Sequence, residues 1–259
     1  MAAFGAKRPV FAPIVTEPDD ALPTYGTGAV LGKLAAANLT INLATGELPA
    51  DDEIAEQLSE FASATLALET DDILESVHGL IFGATVNGNN VKDYKGDTPP
   101  LGGLGYYKSL MRNGVRYFKA YYYPKARAAL GNDNATTRGT SGITFQTTPT
   151  TFTIFAPNYG QWREMELFTD ESQAILWVDA KLGRTAAFAV EVQVNGAGAS
   201  EAATPIGLTM VKSGENFVLT ITGTPTALYD NGVDNVAAIA DGVYTIAAVA
   251  AAHKVAVIF

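Results

Sequence analysis

The strongest constraint on the fold is a pair of long aromatic segments joined by Asn113-Gly114. The surrounding stretch reads LGGLGYYKSLMRNGVRYFKAYYYPKAR, with Leu and Tyr before this dipeptide and Val, Tyr and Phe after it. Asn-Gly is a preferred centre of a two-residue β-hairpin turn, because both of its residues tolerate positive φ. The sequence therefore predicts two antiparallel strands that flank Arg112-Asn113-Gly114.

Further strands are predicted from alternation of apolar and polar residues. The pattern is present in KLAAANLTINLATGELPA, in SATLALETDD and in ITFQTTPTTFTIFAP. The chain also holds 25 Gly and 12 Pro, scattered without a period. Such punctuation favours many strands and turns over long helices, so we expect a mainly β protein.

Two short helices are predicted within this β pattern. The first lies in DDILESVHGLIFGA, with Asp71 or Asp72 as its N-cap and Gly83 just past its end. Its apolar face is predicted to contain Leu74, Val77, His78 and Ile81. The second lies in TDESQAILWVDAKLG, capped by Thr169 or Asp170.

The composition changes near Leu182–Arg184. From Thr185 onward charge is sparse, and four strand-like segments follow: AAFAVEVQV, ENFVLTITG, DGVYTIAAVA and KVAVIF. This pattern is typical of a small β-sandwich. We therefore predict two domains, residues 1–184 with an extended N-terminal arm and long loops such as 129–142, and residues 185–259.

Charge and composition exclude several classes of protein. The net charge is -10 and the pI is about 4.6, which opposes binding to nucleic-acid phosphates. Cys is absent, which rules out disulfides and thiolate metal sites. No apolar run is long enough to span a membrane, and Pro9 and Pro13 interrupt any signal-peptide pattern. We expect a soluble protein, made in a cytoplasm-like compartment without a membrane anchor.

An acidic run, DDEIAEQLSEF, is open to three interpretations. Its carboxylates are Asp51, Asp52, Glu53, Glu56 and Glu60. The spacing of Ile54, Leu58 and Phe61 matches one face of a helix, so the run taken alone indicates an acidic amphipathic helix. Clustered carboxylates could instead bind a metal or act in acid–base catalysis, although the Gly of an EF-hand loop is missing. The third interpretation is a charged wall of a larger assembly.

A basic run, RYFKAYYYPKAR, mirrors the acidic one. Its cations are Arg116, Lys119, Lys125 and Arg127. Aromatic residues between bases can form a stacking platform for single-stranded nucleic acid. The run could also be a half-buried strand, or a basic surface that docks the acidic surface of a neighbouring copy.

The residues that usually carry catalysis are scarce. The two histidines, His78 and His253, lie in different predicted domains. The glycine-rich Gly102-Gly103-Leu104-Gly105 is not followed by a helix start, so it does not predict a phosphate site. No nucleotide-binding, zinc-protease or serine-hydrolase motif is present. We expect no enzymatic activity and no cofactor or metal.

Several short segments share one family resemblance. They include Ala50-Asp51-Asp52, Ser59-Glu60-Phe61, Asp71-Asp72-Ile73 and Gly83-Ala84. YYYPKA, TTRGTSGITFQTTPTTF, QWREMELF and AILWVDA follow. Together, over roughly residues 10–182, they resemble the major tail proteins of long-tailed bacteriophages, the subunits of the tail tube. The family's lysine in the polar loop is Arg138 here, which is a mild departure.

The resemblance implies a tail-tube β-sandwich or barrel domain with one flanking helix. Copies would form hexameric rings, stacked into a tube through which DNA passes into the host. Partners would be further copies, the tape-measure protein and the tail terminator, all in a virion assembled in the bacterial host. The resemblance also makes DDEIAEQLSEF a turn that enters a β-strand, and residues 185–259 fit an appended immunoglobulin-like module.

These arguments favour a structural virion protein over two alternatives. The acidic residues 51–60 would face the lumen or a neighbouring subunit, and the basic residues, Arg138 included, would form an inter-subunit surface. The first alternative is a virion surface or fibre module that binds host carbohydrate through the C-terminal β-domain. The second is a hydrolase with paired carboxylates.

Overall fold

The computed structural model confirms a mainly β protein with two α-helices in its described part. The described residues are 2–50, 53–130, 146–196 and 202–259. Only the backbone is described for residues 2–3, 49–50 and 53–55. Neither helix in these ranges is long and apolar enough to cross a membrane. Of the predicted loop at 129–142, only residues 129–130 are described. Arg138 lies outside the described residues.

The chain divides into two compact units. The first comprises Met1–Thr169 and Lys181–Arg184, and the second Asp170–Ala180 and Thr185–Phe259. The sequence suggested a boundary after residue 184. The structure also places most of the second helix in the second unit, and composition gave no sign of this.

One large antiparallel sheet forms the body of the first unit. Its order is β2-β1-β8-β9-β10-β5-β4, with β3 paired to β1 and β11 paired to β9, while β6 and β7 form a separate ribbon. The strands are β1 (Ala2–Thr16), β2 (Thr24–Tyr25), β3 (Ala29–Val30), β4 (Leu34–Ala50), β5 (Glu53–Thr70), β6 (Thr85–Asn87), β7 (Asn90–Lys92), β8 (Leu101–Arg112), β9 (Val115–Ala128), β10 (Thr148–Phe155) and β11 (Glu164–Phe168).

The N-terminal segment is extended, as predicted, but it is not an unstructured arm. β1 pairs with β8 along most of its length, and Val10, Phe11 and Ala12 are fully buried. Pairing satisfies the backbone groups that a free arm would expose to water, and Phe11 joins the main core. Pro9 and Pro13 therefore do not release the segment from the sheet.

The predicted aromatic hairpin is confirmed. β8 and β9 pair from Arg112–Val115 inward, with Asn113 at φ 49° and Gly114 at φ 78°. Positive φ at both turn residues is typical of the tight turn that matches strand twist. Because the loop has two residues, it fixes which side chains face each other from Arg112 to Leu104, beyond which the register shifts.

The first helix packs onto the core of this sheet. α1 (Glu75–Phe82) buries Val77 and Ile81 and ends at Gly83, which has the predicted left-handed conformation. The predicted aspartate N-cap was wrong, because Leu74 occupies that position. The carboxylate of Asp71 instead accepts hydrogen bonds from the backbone N–H groups of Lys33 and Asp72, and these lower the pKa of Asp71.

The second unit contains two sheets around one apolar core. The five-stranded sheet has the order β14-β12-β19-β16-β17 and the three-stranded sheet the order β13-β15-β18. The strands are β12 (Ala187–Asn195), β13 (Ala203–Thr204), β14 (Gly207–Lys212), β15 (Phe217–Ile221), β16 (Ala227–Asp230), β17 (Val233–Asp234), β18 (Val243–Ile246) and β19 (His253–Ile258). All four strand segments that the sequence predicted are present. Val192, Leu219 and Val257 represent the shared core.

The second helix begins as predicted. α2 (Glu171–Lys181) follows Asp170, whose carboxylate accepts a hydrogen bond of 2.7 Å from the backbone N–H of Ser172. This bond satisfies one of the N–H groups that the first turn of a helix leaves unpaired.

A polar cluster connects the two sheets of the second unit. The Tyr244 hydroxyl donates to Asp230 at 3.0 Å, and Nδ1 of His253 lies 2.8 Å from the same carboxylate. Burial, together with the carboxylate, raises the pKa of Tyr244 to about 12 from its ordinary value of 10.0. Tyr244 therefore contributes stability that is fully present below pH 10.0 and is lost as pH rises through about 12.

We expect Tyr244→Phe to lower the free energy of unfolding by about 1–2 kcal/mol at neutral pH, since it removes a hydrogen bond to a carboxylate. The difference from wild type should shrink as pH rises through the interval between 10.0 and about 12. Urea unfolding followed by circular dichroism at several pH values measures this. A difference that stays constant across the interval would show that Tyr244 does not titrate there.

Candidate functional site

The longest hairpin of the first unit extends beyond the core. β4 and β5 pair from Leu34–Thr70 to Ala50–Glu53, whereas β10 covers β5 only from Ala64 to Thr70. Residues 41–48 and 56–60 are exposed throughout. We call these two segments of the β4–β5 hairpin the arm, which is distinct from the predicted N-terminal arm. Among the described strands, none pairs with the outer side of β4, which stands at the end of the sheet.

Large apolar side chains are exposed on the arm. Their exposed fractions are 43 % for Ile41, 56 % for Leu43, 58 % for Leu48 and 61 % for Leu58. Ile41 and Leu43 lie on one face of the hairpin, and Leu48 and Leu58 lie on the other. Single exposed leucines are common on protein surfaces, but two such pairs on one projecting hairpin indicate an interaction surface.

A stack of side chains marks where the arm leaves the core. The rings of Phe61 and Trp162 stack with centroids 4.3 Å apart, and the Arg163 guanidinium lies 4.5 Å from the Trp162 ring. Phe61 packs against the main core, while the preceding residue, Glu60, is exposed. Glu60 therefore projects from the opposite face of the strand.

The acidic candidates lie on that opposite face. In the β4–β5 register, Leu48 pairs with Glu56 and Gly46 with Leu58, so these four residues share a face with Glu60. We call this surface the outer face of the arm. It combines two leucines with two carboxylates.

The structure describes only part of the acidic set. Glu56 and Glu60 are exposed, and Glu53 begins β5. Asp51 and Asp52 lie outside the described residues. Residues 53–61 form a strand, so the strand assignment is confirmed and the helical interpretation of DDEIAEQLSEF was wrong. Pairing with β4 along the whole segment satisfies the backbone, which outweighs a three-residue helical spacing.

The basic candidates do not share one face. Arg116 and Lys119 are three residues apart on β9 and therefore project from opposite faces of the strand. The exposed Arg116 lies over the ring of Phe4, at 5.2 Å from its centroid. Lys125 forms a salt bridge of 2.7 Å with Glu17, with both side chains 18 % exposed. Arg127 is exposed next to the buried Ala128, and Arg138 lies outside the described residues.

Two further cations were missed from the sequence. Lys108 and Arg112 on β8 join Lys119 on one face of the β8–β9 hairpin, because Lys108 pairs directly with Lys119. We call Lys108, Arg112 and Lys119 the basic face. The signal was available: a two-residue turn that pairs Arg112 with Val115 also pairs Lys108 with Lys119.

The polar groups of the described residues do not assemble into a metal site. No group of three or more His, Asp or Glu side chains in these ranges could hold a metal ion. His78 lies 3.4 Å from Asp93 in the first unit, and His253 contacts Asp230 in the second. The features that could take part in binding are thus the apolar and acidic arm, the free edge of β4 and the basic face.

Comparison with known proteins adds no family. No protein-family model matches the chain, and no curated protein matches it.

Proposed function

We propose that this protein is a structural subunit that assembles with further copies into stacked rings, and that these form a bacteriophage tail tube. The observation that carries the proposal is the arm, whose two strands extend past the core with four large apolar side chains in water. Burying one such side chain contributes about 1.5–3 kcal/mol. A neighbouring copy that covers the arm would recover this free energy.

The free edge of β4 supports the same conclusion. An edge strand presents unpaired N–H and C=O groups, and the 17-residue β4 is such an edge in the part of the chain that the structure describes. Natural proteins shorten, charge or cover such edges. In a ring every β4 would meet a neighbour, and closure leaves no edge free.

The resemblance to tail-tube proteins gives the assembly its biological setting. It supports hexameric rings, a tail-tube fold for the first unit and an immunoglobulin-like fold for the second. It also supports tape-measure and terminator proteins as partners and location in the phage tail. Residues 53–61 form part of β5, in agreement with the strand that the resemblance implied for DDEIAEQLSEF.

The charge of the chain suits passage of DNA. The net charge of the chain is -10. A lumen of this sign repels phosphates at long range, so that DNA slides without binding. DNA ejection would then need no catalytic step from this protein.

We expect the purified protein to assemble as its concentration rises, and assembly to weaken when NaCl increases from about 0.05 M to about 1 M, because salt screens the charged surfaces. Light scattering over a dilution series at each salt concentration measures both effects. A monomer at every concentration would contradict the proposed function. Assembly that does not change with salt would contradict only the contribution of charge, not the self-assembly itself.

A further inference from the structure

The basic face contains a repulsion that no carboxylate among the described residues relieves. Lys108 and Lys119 are direct cross-strand partners, and their ammonium groups lie 5.1 Å and 5.6 Å from the ring centroid of Tyr121. No carboxylate of the described residues forms a salt bridge with either ammonium. Like charges directly opposite each other destabilise a sheet. An anionic group from outside the subunit would convert this repulsion into attraction.

Arg112 extends the same face. Its guanidinium carbon lies 5.7 Å from the ring centroid of Tyr117. Its Nε is buried and has no hydrogen-bond partner among the described residues. Arg112 is half-buried, so its guanidinium adds positive charge to this face, although the buried Nε itself is closed to an acceptor from outside.

The outer face of the arm carries charges opposite to those of the basic face, and the charges on the two faces have the same spacing. Lys108 and Arg112 are four residues apart on β8, and Glu56 and Glu60 are four residues apart on β5. At about 3.3 Å per residue, each pair spans about 13 Å. Leu58 stands midway between the two glutamates and is exposed, whereas Leu110, midway between the two cations, is buried in its own subunit.

We propose that the outer face of the arm of one copy docks on the basic face of a second copy, with Glu56 and Glu60 against Lys108 and Arg112. The inference rests on the proposed self-assembly and specifies its contact surfaces. The contact joins two different surfaces of the chain, so it repeats from copy to copy and can close into a ring. A free polyanion is a poorer occupant, because the chain carries a net charge of -10.

Charge exchange tests this contact. Glu56→Lys with Glu60→Lys places cations against cations, and Lys108→Glu with Arg112→Glu places anions against anions. Each pair of changes should raise the concentration needed for assembly about tenfold or more, because attraction becomes repulsion at two positions. The combined four-residue variant restores opposite signs and should assemble within about threefold of wild type. Light scattering on purified full-length protein measures all four proteins.

A matched control carries the same change of charge elsewhere. Lys92→Glu with Lys95→Glu alters two exposed lysines and should assemble like wild type. Circular dichroism and urea unfolding verify that each variant folds. If Lys108→Glu with Arg112→Glu does not fold, Glu56→Lys with Glu60→Lys, which changes two exposed residues, still tests the contact.

Three outcomes would overturn the docking while leaving self-assembly intact. The first is wild-type assembly by the folded variant with Glu56→Lys and Glu60→Lys. The second is a folded combined variant that assembles no better than the separate pairs. The third is binding of a labelled single-stranded oligonucleotide that depends on Lys108 and Arg112, which would assign the basic face to nucleic acid instead. Failure of wild type to assemble would overturn the proposed function itself.

Discussion

Replacing Leu48 and Leu58 with glutamine is expected to raise the concentration needed for assembly about a hundredfold or more. Both leucines are mostly exposed in the single subunit, at 58 % and 61 %. Burying each at a contact contributes about 1.5–3 kcal/mol, and 1.4 kcal/mol corresponds to a factor of ten. The isolated subunit should be as stable as wild type, because neither side chain belongs to its core. Light scattering and urea unfolding measure the two quantities.

The matched control removes two exposed apolar side chains from the second unit. Val218 and Val233 are exposed to 50 % and 64 %. Val218→Gln with Val233→Gln should assemble like wild type, since the proposed contact lies on the first unit. If the arm variant assembled at the wild-type concentration, the arm would not be the contact surface.

Replacing Gly102 with alanine is expected to destabilise the first unit by about 3 kcal/mol, the upper range for overpacking a core. An added Cβ would lie 2.3 Å from Cζ of Phe11 and 2.6 Å from the carbonyl oxygen of Ala12. Phe11 is fully buried, so its ring cannot move aside without disturbing the core. For a unit of this size the melting temperature should fall by roughly 6–12 °C.

Gly96→Ala provides the control for this substitution, because a Cβ there meets no atom within 4 Å. Differential scanning calorimetry of both variants compares the first unit directly. Equal melting temperatures for the two would mean that Phe11 does not cross Gly102 as closely as the structure indicates.

The sequence predicted well the elements that depend on local signals. Asn113-Gly114 identified the central hairpin, and alternation at Ala64, Leu66 and Leu68 identified the buried half of β5. Gly83 identified the end of α1 because few other residues adopt its conformation. Each of these signals lies within a few residues of the structure it determines.

Features that depend on long-range pairing were harder to predict. The sequence of β1 alone suggests an extended segment interrupted by Pro. Its partner, β8, lies about a hundred residues later in the chain. The basic run looked like one surface, but strand alternation separates Arg116 from Lys119, and Glu17 binds Lys125. Local patterns do not specify which strands become neighbours, so the faces of the sheet emerge only with its order.

Electron microscopy of the full-length protein, concentrated alone and negatively stained, tests the central claim most directly. The account predicts rings or tubes with an open central channel. Particles of a single subunit at every concentration, with no rings or tubes, would contradict it.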